Sequence, residues 1–87
     1  MSGDDIRLKA HYIDLHEARK VLAEMGIELT IRQMKRAAAM NADGLRKIPF
    51  FLDPIDGRLK IDKRTLIDIY WTRQAQAKKN SQIFRPN

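Results

Sequence analysis

The sequence predicts a small α+β domain, mainly helical, with three helices and one two-stranded β-hairpin. Three segments begin with a side chain that can accept hydrogen bonds from the free N–H groups of a first helical turn. Between the second and third of them, residues 47–52 and 58–61 alternate apolar and polar side chains around a turn that contains Pro54 and Gly57. A chain of 87 residues has room for one core, so a deep substrate cleft is not expected.

The first helix is predicted to begin at Leu15. Asp14 is its N-cap and Glu17 stands at the third helical position, which is the spacing of a capping box. Apolar residues then recur at helical spacing as far as Met25. Gly26 is suited to the left-handed conformation that ends a helix, so the helix is expected to stop there.

The second predicted helix is capped by Thr30, again with a glutamine, Gln33, at the capping-box position. On a helical wheel one side holds Ile31, Met34, Ala37 and Ala38, and the other holds Arg32, Gln33, Arg36, Ala39 and Met40, with Lys35 at the margin. We expect the helix to extend through Met40 and to end within residues 41–44. One face would pack on the core, and the other would offer long hydrogen-bond donors.

The hairpin strands are expected to bury one face, which holds Ile48, Phe50, Leu52, Leu59 and Ile61. Pro49 has no amide hydrogen and therefore places its strand at an edge of the sheet. Arg58 and Lys60 would both point outward.

The third helix is predicted to be capped by Asp62 and to carry a wide apolar face, on which Arg73 also lies. The face is formed by Leu66, Ile69, Tyr70 and Arg73, flanked by Ile67 and Trp71. We expect Tyr70 and Trp71 to lie in the core rather than to stack on bases. The apolar pattern decays from Ala75. We therefore divide the chain into an N-terminal arm (1–13), one domain (14–77) and a flexible tail (78–87).

The charge is uneven along the chain. The net charge is +6, and residues 1–44 contain seven Lys/Arg and seven Asp/Glu, whereas residues 45–87 contain ten and four. Basic surfaces of this kind favour an anionic partner such as nucleic acid, and a uniformly solvated surface is the alternative. We expect no membrane segment and a cytoplasmic, nucleoid-associated location for a protein encoded by a bacterium or a phage.

The composition gives little support to catalysis. The chain has no cysteine, two histidines and two serines, Ser2 and Ser81, and it lacks a glycine-rich phosphate loop. We therefore expect a non-enzymatic protein without a metal site, a cofactor or a small-molecule ligand. The acidic residues Asp53 and Asp56 are explained as turn residues beside Pro54 and Gly57.

The order of helix, tight link, basic helix, hairpin and helix is typical of a winged helix-turn-helix, in which the second helix enters the major groove. The chain resembles the MerR-like winged-helix superfamily, and within it the small excisionases of phages and integrating elements. The resemblance covers residues 15–71 and lies in the pattern of 15–22, 29–36, 48–50 and 58–62. A longer second helix and a hairpin without an arginine-rich tip depart from that pattern.

The resemblance implies binding to double-stranded DNA by a small regulator or architectural factor, with an integrase or further copies on adjacent sites as possible partners. The implied DNA contacts are Thr30, Arg32, Gln33, Lys35, Arg36, Arg58 and Lys60. We add Arg46 and Lys47, which lie between the helix and the hairpin. Two alternatives stay open: a small transcriptional repressor or activator, and a protein-interaction adaptor that uses Met40 and Ile83-Phe84. Gln33 serves either its capping box alone or DNA as well.

Overall fold

The structure, a computed structural model, describes residues 9–81 of the chain. It is a small α+β fold with three helices and a three-stranded antiparallel sheet. In chain order the elements are β1 (Tyr12–Asp14), α1 (Leu15–Glu24), α2 (Ile31–Ala38), β2 (Phe51–Leu52), β3 (Leu59–Asp62) and α3 (Lys63–Asn80). The three helices and the hairpin confirm the predicted order of elements.

The sheet has one strand more than predicted. Its order is β1-β3-β2, and β1 comes from the segment that was expected to be an N-terminal arm. Ile13 pairs with Ile61 across β1 and β3, and both side chains are buried. The pairing extends beyond the strand, because the N–H of Lys63 donates to the carbonyl of His11 at 2.8 Å. A strand of three residues is too short for its alternation to be recognised in the sequence.

The first hairpin strand is shorter than predicted, because only Phe51–Leu52 pairs with β3. Pro49 has no N–H to donate, and the N–H of Phe50 instead donates to the carbonyl of Ile48 at 2.7 Å in a tight turn. Ile48 and Phe50 are buried as predicted, but Leu52 is 57% exposed, contrary to expectation. The predicted turn after Leu52 is confirmed, and Gly57 adopts a φ of 70° there.

The core lies where α1, α2 and the start of α3 meet one face of the sheet. Its fully buried large side chains are Leu22, Met34, Ile61 and Leu66. Ala18 and Ala38 are also fully buried, which lets α1 and α2 approach each other closely. The predicted inner side of the second helix is confirmed, with Ile31 and Ala37 partly buried beside it.

The third helix follows the sheet for only two turns. Leu66 is its one fully buried residue, Tyr70 is half-buried, and every residue from Trp71 to Asn80 is exposed. The prediction that Trp71 lies in the core is wrong, since its side chain is 71% exposed. The helix also continues past Ala75, because the alanine, glutamine and lysine side chains of this segment favour helix without tertiary contacts.

Asp62 precedes α3 as predicted, but its carboxylate does not cap the first-turn N–H groups. It accepts hydrogen bonds from the N–H of His11 at 3.0 Å and from the hydroxyl of Thr65 at 3.3 Å. The bond from His11 is the main reason why the pKa of Asp62 lies below its usual value. None of the helices in residues 9–81 has the length and apolar composition needed to cross a membrane.

Candidate nucleic-acid interface

The start of α2 is held against α1 by the six-residue link between them, residues 25–30. Gly26 leaves α1 with a φ of 89°, and the N–H of Ile27 donates to the carbonyl of Leu22 at 2.8 Å. The guanidinium of Arg19, on α1, donates through Nε to the carbonyl of Leu29 at 2.7 Å. These bonds fix the direction in which α2 leaves α1, so the outer face of α2 is presented on a rigid support.

Both predicted capping boxes are present. In the first, Asp14 Oδ1 accepts from the N–H of Glu17 at 2.8 Å. In the second, Thr30 Oγ1 accepts from the N–H of Gln33 at 3.1 Å, and Gln33 Oε1 accepts from the N–H of Thr30 at 2.8 Å. The carbonyl oxygen of the Gln33 side chain is therefore engaged. A bidentate contact to adenine needs both the oxygen and the NH₂ group, so Gln33 is left with a donor only.

The outer face of α2 carries three exposed cations, Arg32, Lys35 and Arg36. The helix contains no Asp or Glu. Among residues 9–81 the ion pairs all involve Lys60, so these three side chains have no carboxylate partner in that part of the chain. Met34 and Ala38 fill the core from the opposite side. The result is a short, rigid and uncompensated basic helix face.

The second helix ends earlier than predicted, at Ala38 instead of Met40. Ala39 is extended, and Met40 forms an isolated antiparallel bridge with Arg46. The side chain of Asn41 competes with helix continuation, because its Oδ1 accepts the N–H groups of Asp43 and Leu45, both at 2.9 Å. Ala39 and Met40 are consequently not part of the helix face to which the sequence assigned them.

Arg46, which the sequence placed among the DNA contacts, bonds to the end of α2. Its Nη1 donates to the carbonyl of Ala38 at 2.6 Å, and the residue is half-buried. The N–H of Ile48 donates to the neighbouring carbonyl of Ala37 at 3.2 Å. Together they satisfy two of the carbonyls that a helix leaves free at its C-terminus. Arg46 therefore positions α2 and does not extend from the surface as a free cation.

Lys47 is exposed and lies beside the C-terminus of α2, because the next residue, Ile48, bonds to that helix. It shares a shallow surface groove with Thr65, Asp68, Thr72 and Arg73 of α3, so one carboxylate lies in the same groove as the two cations. The sequence placed Arg73 on the apolar face of the third helix, but Arg73 is exposed and adds a cation beside Lys47. A charged residue within an apolar stripe was the signal that pointed to this position.

The hairpin presents one free cation instead of the two that were predicted. Lys60 Nζ lies 2.9 Å from Asp53 Oδ2 and 3.1 Å from Asp56 Oδ2. These two carboxylates raise the pKa of Lys60. Arg58 is exposed and has no carboxylate within ion-pair distance among residues 9–81. The sequence predicted that Lys60 points outward, and in the structure it is half-buried and paired with the two turn acids.

The turn acids also organise the backbone. Asp53 Oδ1 accepts the N–H of Ile55 at 2.9 Å, and Asp56 Oδ1 accepts the N–H of Arg58 at 2.9 Å. In each case this backbone bond is the largest cause that lowers the pKa of the carboxyl, and Lys60 lowers it further. The acids thus serve the turn, as the sequence indicated, and bind Lys60 in addition.

No protein-family model, curated protein or solved structure matches this chain. The case for a function consequently rests on the geometry and charge described above.

Proposed function

We propose that this protein binds double-stranded DNA as a winged helix-turn-helix, with α2 in the major groove and the hairpin as the wing. The observation that carries the proposal is the outer face of α2, where Arg32, Lys35 and Arg36 are exposed, without carboxylate partners in residues 9–81, and mounted on a buried Met34. Long cationic donors on a rigid helix match the phosphates and base edges of duplex DNA.

The dimensions of α2 support this placement. An α-helix with its side chains is about 10–12 Å in diameter, which suits a major groove about 12 Å wide. In helix-turn-helix proteins the N-terminal part of the reading helix contacts the bases. Arg32 lies in the first turn of α2, and Arg36 follows four residues later on the same face, so we assign base contacts to these two residues. Phosphate contacts are assigned to Lys35 and to the hydroxyl of Thr30. Gln33 contributes at most its NH₂ group.

Cations outside α2 add to the proposed contact. Arg58, on the hairpin, lies beside the start of α1 and would bind phosphates there. Lys47 and Arg73, which share a groove with Asp68 near the C-terminus of α2, would bind phosphates on that side. Because phosphate contacts carry little sequence information, these residues supply affinity, and α2 supplies the choice of sequence.

Within this class, an excisionase-like role is our first proposal: several copies bind side by side on repeated sites and shape the DNA for an integrase. A small transcriptional repressor or activator uses the same contacts and is the second. The two roles differ in the DNA site and in the partner protein, and they share the interface described here.

The proposed function is tested by selecting bound sequences from a random duplex library and measuring affinity for the selected site at several salt concentrations. We expect a preferred sequence and a logarithmic salt slope of about −0.9 for each phosphate contact. The double variant Arg32→Ala/Arg36→Ala should lose the preference. Lys20→Ala, which removes an exposed cation of α1, is the matched control and should keep it. Binding that shows neither sequence preference nor salt dependence would refute the proposal.

A further inference from the structure

The groove between the hairpin and the start of α1 contains a second basic side chain besides Arg58. Its lining residues are Asp14, Leu15, His16, Arg58 and Leu59. His16 and Arg58 are both exposed. They come from different elements, since His16 is the second residue of α1 and Arg58 directly precedes β3. The pairing of Asp14 with Lys60 across β1 and β3 brings these two elements together.

The acidic residues around this groove are already engaged with backbone N–H groups. Asp14 Oδ1 accepts the N–H of Glu17 at 2.8 Å, and Glu17 Oε1 accepts the N–H of Asp14 at 3.2 Å. On the hairpin, Asp56 Oδ1 accepts the N–H of Arg58 at 2.9 Å. In the part of the chain that the structure describes, neither His16 nor Arg58 lies within ion-pair distance of a carboxylate. An anion from outside the chain can therefore contact both.

A histidine at this position makes the charge of the groove depend on pH. Imidazole is the side chain that ordinarily gains a positive charge between pH 8 and pH 5, whereas a guanidinium stays charged throughout. A protonated His16 repels Arg58, and Lys20, one turn further along α1, adds a third positive charge on that side. A phosphate between His16 and Arg58 replaces this repulsion by attraction. The binding of phosphate and the binding of a proton by His16 therefore favour each other.

We propose that His16 and Arg58 together hold one backbone phosphate of duplex DNA between α1 and the hairpin, and that His16 takes up a proton when they do so. This inference rests on the proposed function, because the phosphate belongs to the duplex that α2 reads. Phosphate contacts position the protein on the duplex and carry little sequence information. His16 consequently makes the affinity for DNA rise as the pH falls, and leaves the choice of sequence to α2.

The test is the affinity for the selected duplex at about pH 5.5 and about pH 8. The natural chain should bind about tenfold more tightly at the lower pH, because one charged hydrogen bond is gained. Its salt slope should also be steeper there by about 0.9, the value for one more phosphate contact. His16→Gln should show the weaker affinity at both pH values. His16→Arg, which carries a permanent charge, should show the tighter affinity at both.

The chain contains one other histidine, His11, which supplies the matched control. His11 lies at the opposite end of β3 from Arg58, where its carbonyl accepts the N–H of Lys63. His11→Gln should therefore keep the pH dependence of the natural chain. Circular dichroism checks that all variants are folded at both pH values.

The proton itself can be measured by calorimetry of duplex binding in two buffers that differ in ionisation enthalpy. The natural chain and His11→Gln should take up protons on binding, and His16→Gln should take up fewer. A pH dependence that survives unchanged in His16→Gln, or that is absent from the natural chain, would overturn this inference while the proposed function stands. A chain that binds no duplex at either pH would refute both.

Discussion

Arg46 Nη1 donates a hydrogen bond to the backbone oxygen of Ala38 at 2.6 Å, and so closes the C-terminus of α2 from eight residues further along the chain. The segment from Met40 to Arg46 folds back on itself, because Met40 and Arg46 pair in an isolated antiparallel bridge. The proposed reading helix is therefore held at its first turn by the Thr30 capping box and at its last turn by Arg46.

Removing the Arg46 guanidinium should act mainly on stability and less on DNA binding. We expect Arg46→Ala to lower the free energy of unfolding by about 1–2 kcal/mol, because a partly buried charged hydrogen bond is lost. Lys47→Ala should change it by less than about 0.5 kcal/mol and reduce the salt slope of DNA binding by about 0.9. Urea unfolding and salt titrations of both variants check this. Equal stability of the two variants would contradict the capping role.

The two aromatic residues Phe50 and Trp71 should behave oppositely on truncation. Phe50 is 3% exposed, and Phe50→Ala should cost about 3–5 kcal/mol, much of the stability of a domain of this size. Trp71 is 71% exposed, and Trp71→Ala should leave the melting temperature nearly unchanged. Thermal melting followed by circular dichroism distinguishes the two variants. A large destabilisation by Trp71→Ala would mean that Trp71 is part of the core.

On the hairpin, replacing Arg58 should affect DNA binding, whereas replacing Lys60 should affect the structure of the turn. Arg58→Ala should weaken binding to all duplex sequences about equally and lower the salt slope by about 0.9, the value for one lost phosphate contact. Lys60→Ala leaves Asp53 and Asp56 close together without their cation, so it should loosen the turn and leave the salt slope nearly unchanged. Salt titration and hydrogen exchange at the turn measure the two effects. An equal loss of slope in both variants would show that Lys60 also contacts DNA.

Stability should depend on pH through the hairpin acids. The pKa values of Asp53 and Asp56 are lowered from 3.8 by backbone hydrogen bonds and Lys60, so their contribution is present above pH 3.8 and is lost as the pH falls below it. The pKa of Lys60 is raised above 10.5, so its contribution is lost only above pH 10.5.

Urea midpoints measured across this pH range check that dependence. The double variant Asp53→Asn/Asp56→Asn should lose less stability than the natural chain between neutral pH and acid pH, because it has no hairpin carboxylate to protonate. Parallel curves for the two proteins would show that the hairpin acids add nothing to stability.

Local signals in the sequence predicted much of the fold. The capping pairs Asp14/Glu17 and Thr30/Gln33 located the starts of α1 and α2, and Gly26 located the end of α1. These features work because the hydrogen bonds involved join residues only a few positions apart.

Contacts between distant residues account for the errors. β1 forms because Ile13 pairs with Ile61, which is far along the chain. The three residues of β1 are too few to show the alternation of a strand in the sequence. The end of α2 is set by the turn at Asn41 together with Arg46, which bonds to Ala38 from eight residues further along the chain. The exposure of Trp71 is set by where α3 leaves the sheet. The pairing of Lys60 with two turn acids likewise depended on the hairpin geometry. The sequence shows which side chains are basic, but residue spacing alone did not predict which of them lack a carboxylate partner.

The proposal that α2 reads duplex DNA is tested most directly by the ratio of two affinities, one for the selected site and one for random duplex. This ratio is compared between the natural chain and the single variants Arg32→Ala and Arg36→Ala. Each alanine variant should lose about 1–3 kcal/mol at the selected site and much less on random duplex, because base contacts are lost along with charge. If both variants keep the natural ratio while staying folded, then α2 is not the reading helix and the account is wrong.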